Sequence, residues 1–158
     1  MSDKHLEFML EAYKEAEKAA DRGDYGIGAV LVYKNQIISR SGNQVISREI
    51  DPNAHAEILT MDDIKGTIFD DIKKYREMIM ITTVSPCPMC WGRILVAGLK
   101  EVVYGAFDHY SSPNYEENIP EIFIPTKPKI IELKGDLADK CNELFLATRE
   151  EIDKKFFS

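Results

Sequence analysis

The stretch Val84-Ser85-Pro86-Cys87-Pro88-Met89-Cys90 places two thiols three residues apart behind a proline. Such a pair serves as a redox couple, as half of a closed structural zinc site, or as part of an open catalytic metal site. Ser85 can cap and Pro86 can open a helix, so Cys87 and Cys90 fall in its first turn. Positions i and i+3 share one face and lean toward the N-terminus, so a single ion reaches both sulfurs. The free amides and partial positive charge there favour thiolates, which a metal requires and a redox pair also uses. A third ligand separates the readings, and His55 is the candidate, at the start of another helix with Glu57 two positions on. Residues i and i+2 lie about 200° apart around a regular helix. At the first turn, however, both can reach past the helix tip, His55 to a metal and Glu57 to a water beside it. If the two helix starts face each other, Cys87, Cys90 and His55 give three protein ligands and leave the fourth position open, the catalytic arrangement for zinc. The closed alternative takes its fourth ligand from His5, His109 or Cys141, each of which also fits an ordinary place on the surface, in a loop or in the core.

The elements that must position these groups are legible in the hydrophobic pattern. Leu6, Met9, Leu10, Tyr13, Ala16 and Ala20 recur at helical spacing, which predicts a helix over Leu6–Ala20 that ends before Gly23. Ile27–Tyr33 and Gln36–Ser41 flank Lys34-Asn35 as a hairpin. Asp51-Pro52-Asn53 offers cap chemistry for a helix over Ala54–Met61. Asp62–Glu77 is charged and weakly patterned, and Met78–Val84 is a buried strand. A helix from Pro86 to about Ala97 stops at Gly98, followed by strands at Glu101–Gly105 and Ile130–Leu133 and a helix from about Asp136 to Lys155. Strands alternating with helices after a hairpin predict an α/β sheet covered on both faces.

Composition sets limits on partners and setting. With 158 residues and 44% apolar content the chain fits one globular domain. No apolar run approaches the roughly 18 residues needed to span a bilayer, so a cytoplasmic location and no membrane partner are expected. Three cysteines are too few for a disulfide framework. Acidic side chains outnumber basic ones 27 to 20, a net charge of −7, and Lys73-Lys74, Lys127 with Lys129, and Lys154-Lys155 are short clusters beside acidic neighbours. Such a balance repels phosphate backbones, so nucleic acid is not expected as a partner.

The order His55-Ala56-Glu57 then Pro86-Cys87-Pro88-Met89-Cys90, each at a helix start with a strand between, resembles the H-x-E…P-C-x-x-C signature of zinc nucleobase deaminases. With Ile27-Gly28-Ala29-Val30 and Asn43 in family order, the chain from its first helix to about Gly105 resembles the cytidine and deoxycytidylate deaminase superfamily, in the branch using His as first ligand. That branch includes cytosine, guanine and tRNA adenosine deaminases. The resemblance implies a three-layer α-β-α cytidine-deaminase-like fold with a central five-stranded mixed sheet, formed by residues 1–158 as a single zinc-dependent deaminase domain, and a homodimer. It implies a Zn2+ cofactor on His55, Cys87 and Cys90, and hydrolytic replacement of a ring amino group by a keto group with release of ammonia. Glu57 would move the protons as general acid and base. It further implies that Asn43 contacts the substrate ring and that Ile27 and Val84 line the pocket. Asp108 would also contact the substrate, and Tyr110, Asp153 and Phe156, with Phe157, are the candidates for a lid over it. Trp91 and Arg93 stand where relatives carry small or apolar residues.

For the substrate, the resemblances diverge. Ser85 before Pro86, and Gly98, are similar to fungal-type cytosine deaminases. Asp51–Glu57 looks more like the guanine and tRNA adenosine branches, and Leu137–Cys141 is close to the tRNA branch. His109-Tyr110-Ser111-Ser112-Pro113 replaces the glycine-rich segment that follows the aspartate in tRNA enzymes. Together with the acidic balance this leads us to expect a small-molecule substrate, a free nucleobase or nucleoside, with cytosine first and guanine second. A tRNA adenosine deaminase is the alternative, and a non-catalytic zinc-stabilised interaction module a further one. Gly26 replaces the usual proline before Ile27, which implies a looser pocket edge.

Overall fold

The computed structural model describes residues 3–64, 72–111 and 117–156. Its elements are α1 (Asp3–Asp21), β1 (Gly28–Tyr33), β2 (Gln36–Gly42), α2 (Ala56–Asp63), β3 (Ile79–Val84), α3 (Pro88–Ala97), β4 (Glu101–Ala106), β5 (Lys129–Glu132) and α4 (Asp136–Phe156). Short 3-10 turns at Ile72–Glu77 and Glu121–Thr126 are additions to the predicted elements. The strands form one mixed five-stranded sheet in the order β2-β1-β3-β4-β5. β1 pairs antiparallel with both β2 and β3, whereas β3–β4 and β4–β5 are parallel. Lys34 and Asn35 both take positive φ, 49° and 63°, as a two-residue hairpin turn requires.

Alternation along the strands divides the interior into two cores. Val30, Val32, Ile81 and Val103 face Met9 and Ala12 of α1 and Cys141 and Phe145 of α4. Ala29, Leu31, Met80 and Val102 face Met61 of α2 and Trp91 and Ile94 of α3. Helices therefore cover both sheet faces, and each large side chain buried there contributes about 1.5–3 kcal/mol. Trp91 belongs wholly to this second core, at 1% exposure. Arg93 pairs with Asp62 between α3 and α2.

Two glycines set how closely α1 lies. Gly28 and Gly42 face each other in register across β1 and β2. A Cβ at Gly28 would fall 2.1 Å from Ala12 O, and one at Gly42 would fall 2.5 Å from Glu15 O, so the α1 backbone rests directly on the hairpin. α3 ends on Gly98 at φ 70°, whose N–H donates to the Ile94 and Leu95 carbonyls. No helix among the described residues is long and apolar enough to cross a membrane.

Candidate zinc centre and substrate pocket

α2 follows the edge strand β2 and α3 the central strand β3, yet the two helices begin side by side, and their first residues differ from the sequence expectation in an informative way. His55 is the N-cap of α2 and Cys87 the N-cap of α3, both extended, at φ/ψ −72°/147° and −70°/168°. Neither side chain makes a capping hydrogen bond, so both point away from the helix they open. Cys90 lies one turn into α3, fully buried.

The three donors converge. His55 Nδ1 lies 3.6 Å from the Sγ of Cys87 and 3.6 Å from that of Cys90, and they form the candidate metal group among the described residues. A tetrahedral zinc with Zn–N about 2.0–2.1 Å and Zn–S about 2.3 Å needs its nitrogen and sulfur ligand atoms about 3.6 Å apart. The donor set therefore fits zinc in type and spacing. The other potential ligands lie elsewhere: His5 Nε2 pairs with Glu101 at 2.8 Å, the His109 ring packs edge-on to Phe107, and the Cys141 sulfur packs against Gly105, 2.8 Å from where a Cβ there would fall.

The protein's own electrostatics prepare one sulfur as a thiolate. A hydrogen bond from Cys90 holds the Cys87 thiol down at about 4, against the opposing effect of burial, with His55 adding to the lowering. Donation to Cys87 and burial push Cys90 upward, and the bond to Cys87 raises His55 above the ordinary histidine range. Glu57 is buried, and desolvation raises its carboxyl against the pull of His55. Cys90 Sγ also lies 3.5 Å from Glu57 Oε2, so its one proton is shared between Cys87 and Glu57. Thr82 Oγ1 lies 3.4 Å from Oε1 but 3.1 Å from Val84 O, so its single proton is shared at best. Glu57 is thus a buried, weakly tethered carboxyl beside the metal donors, whose protonated form desolvation favours.

A cavity of about 290 Å³ opens over this group. His55, Glu57, Cys87, Asn43, Ile27, Val84, Asp108 and Asp153 all line it. Asn43 Oδ1 accepts the Val45 N–H at 3.0 Å, which fixes the amide and leaves its NH2 as the group for another partner. Tyr110 does not line this cavity but an adjoining depression, and it is two-thirds exposed. Phe156 borders neither and is 39% exposed near the end of α4. Phe157 lies outside the described residues.

Two features around the pocket escaped the sequence reading, Arg149 and Asp24, and a third, Gly26, acts opposite to expectation. Arg149, from α4, enters the cavity wall with Phe145. Asp24, completely buried, accepts from Ile46 N and Ser47 N at 2.9 Å each and from Ser47 Oγ at 2.7 Å, with Arg22 Nε at 3.3 Å, and so fastens the loop after Asn43. Gly26 does not loosen the edge. Its N–H donates to Thr148 Oγ1 at 2.8 Å, and a Cβ there would meet Leu144 Cγ at 2.7 Å, so glycine brings α4 hard against the pocket rim. A proline at this position would lack that donor.

The model for the cytidine and deoxycytidylate deaminase zinc-binding region matches residues 2–106. The chain is 39% identical to the tRNA-specific adenosine deaminase of Bacillus subtilis (strain 168) over 94% of its own length and 90% of that protein's. It is 33% identical to that of Buchnera aphidicola over 84% and 85%. Among solved structures it is similar to a chain from a study of A-to-I editing by tRNA:A34 deaminases, with TM-score 0.69 and 28% identity over 81% of this chain and 98% of that one. The guanine deaminase of Nitrosomonas europaea, at 15% identity and TM-score 0.67 over 94% and 85%, shares the fold.

These relatives overturn two expectations. The expectation of a free nucleobase or nucleoside, cytosine or guanine, as the small-molecule substrate is overturned, because the relatives matched over most of the chain are tRNA-specific adenosine deaminases. The exclusion of nucleic acid falls with it. Net charge sums the whole surface, whereas binding depends on the groups around one pocket. The serine that suggested a cytosine enzyme has a structural engagement: Ser85 Oγ accepts the Asp108 N–H at 2.8 Å and Ser85 N donates to Ala106 O at 2.7 Å, tying the Cys87 turn to the end of β4. With its matched zinc-binding region, mixed sheet and His-Cys-Cys donor set, the chain belongs to the cytidine and deoxycytidylate deaminase family and is a zinc-dependent hydrolytic deaminase.

Proposed function

We propose that this chain, as a single domain, is a tRNA adenosine deaminase that converts adenosine to inosine at the wobble position of an anticodon loop. The observation that carries the reading is its 39% identity to the Bacillus subtilis tRNA-specific adenosine deaminase over almost the full length of both proteins. The cavity supports it. At about 290 Å³ it sits at the lower bound of small-ligand pockets, roughly 300 Å³. One heterocycle enters, so a base in a loop must be turned out of its stack to be reached.

His55, Cys87 and Cys90 would hold the zinc, which when bound supplies Lewis acidity and activation of water near neutral pH. Glu57 takes the first proton of the attacking water and gives it to the ring nitrogen, then takes the second from the new hydroxyl on the ring carbon and gives it to the amino group, which leaves as ammonia as the keto group forms, a cycle suited to a carboxyl raised by burial. Asn43 offers its NH2 to an acceptor on the bound nucleotide. Ile27 and Val84 supply apolar surface against the base.

The test is incubation of zinc-loaded protein with an anticodon stem-loop bearing a wobble adenosine, alongside adenosine, cytosine and guanine, followed by nucleoside analysis. Inosine formed in the RNA supports the reading. Ammonia from a free base with intact RNA adenosine overturns it.

A further inference from the structure

Arg149 is a pocket group that the deamination chemistry does not use. It is the one lysine or arginine among the described residues of the cavity wall, and it also lines the adjoining depression with Tyr110, Leu146 and Asp153. The two hollows therefore share a wall made by Arg149 and Asp153. Gly26 and Thr148 fix this wall, because the bond from Gly26 N seats α4 one residue before Arg149.

The guanidinium is held on three sides. Its Cζ lies 3.7 Å from the Tyr110 ring centroid, Nη1 is 3.6 Å from Asp108 Oδ1, and Nε is 3.4 Å from Asp153 Oδ2. The two carboxylates are unequal partners. Asp108 is buried and already accepts from Tyr110 N at 2.9 Å and from Ser111 Oγ. The Asp153 side chain is 48% exposed, and a pair of that kind is worth little in water. Nη1 thus faces a buried carboxylate as an ion pair, while the Nε edge, hydrogen-bonded only to half-exposed Asp153, can exchange it for an anion that bonds it in bidentate fashion, as phosphate does. Tyr110 is 67% exposed and presents ring surface for stacking a base.

Resting on the RNA reading above, we infer that Arg149 is a specificity-determining residue that takes a phosphate of the strand beside the target nucleotide, displacing Asp153, while the adjacent base lies in the second hollow against Tyr110. The residue selects a nucleotide within a strand over a free base or nucleoside, which lacks that phosphate. It also gives an acidic chain one aimed cation beside the reacting base, next to a hollow that Lys154 and Glu150 line as well.

The test measures binding of a labelled anticodon stem-loop by fluorescence anisotropy across a potassium chloride series, with deamination of the same RNA in parallel. Arg149→Gln is expected to weaken binding about tenfold and to reduce the slope of log K against log salt by about 1. Arg149→Lys keeps that slope, and Asp153→Asn tightens binding. Replacing one linkage flanking the target with an uncharged methylphosphonate reproduces the Arg149→Gln loss, and the two changes together cost no more than either alone. An unchanged salt slope in Arg149→Gln, or additive losses at both flanking linkages, overturns the inference. RNA that binds with the Arg149-dependent slope but stays unedited refutes the proposed reaction and leaves the phosphate site standing.

Discussion

Replacing Asp24 by Asn keeps the side chain's shape and removes its charge, at a site fully enclosed by protein. Asn retains one oxygen for the Ile46 and Ser47 amides, but its NH2 then faces Ser47 Oγ and the Arg22 guanidinium, where Asp24 presents Oδ2. Hydrogen bonds to a charged acceptor are worth about 1.5–3 kcal/mol, against about 0.5–1.5 for neutral ones. With roughly 1 kcal/mol lost at each of the three shorter contacts, Asp24→Asn destabilises the fold by about 2–3 kcal/mol. For a chain of this size each kcal/mol moves Tm by roughly 2–4 °C, so the midpoint falls by about 4–12 °C. Calorimetry reads the shift, and hydrogen exchange reads its place: the amides of Ile46 and Ser47 lose protection before those of β3. Because Asn43 and His55 bracket this loop, KM for RNA rises more than kcat falls. A Tm within 2 °C of the parent, with Ile46 and Ser47 still protected, refutes the clamp.

Glu57→Gln retains one zinc per chain and lowers kcat by about 10²–10⁴-fold, the range for loss of a general acid–base group; wild-type turnover in this variant removes Glu57 from the chemistry. Cys87→Ala loses zinc on dialysis, read by metal analysis, and stoichiometric retention contradicts the ligand assignment. In chelator-treated protein, alkylation of Cys87 is level between pH 6 and 8, because a thiol held near 4 is already ionised throughout. An ordinary thiol accelerates roughly tenfold per unit over that range, and such a rise at Cys87 refutes the thiolate. Cys141, pushed up by burial to about 12, stays unmodified throughout. Gly26→Ala forces α4 outward from Leu144 and Thr148, at about 1–3 kcal/mol for overpacking, seen as a lower urea midpoint.

The fold was largely legible because its signals are periodic. α1, the hairpin, β3 and β4 follow apolar spacing that one chain segment carries by itself, and the observed ends fall within a few residues of those expected. The helix starts were less so. Pro86 and Ala54 look like good openings, but the chain remains extended through Cys87 and His55, a conformation suited to turning metal donors away from their own helices. The 3-10 turns at 72–77 and 121–126 have no amphipathic pattern to announce them. Within the site, the His-Cys-Cys donors and Glu57 were readable because local spacing places them. Arg149 and Asp24 were not, since their roles arise from contacts across the chain: Arg149 with Tyr110 and Asp108, Asp24 with Ile46 and Ser47. Whole-chain charge misled for the same reason, being blind to where a single guanidinium points.

The account rests most heavily on a metal held by three side chains with one position free for reaction. Zinc K-edge X-ray absorption on the loaded protein tests this directly. It predicts two sulfur neighbours at about 2.3 Å, one imidazole nitrogen at about 2.0–2.1 Å and one further light atom that changes when an anticodon stem-loop carrying an adenosine analogue at the target position binds. A third sulfur, a second imidazole, or a fourth neighbour that no ligand displaces would contradict an open catalytic centre.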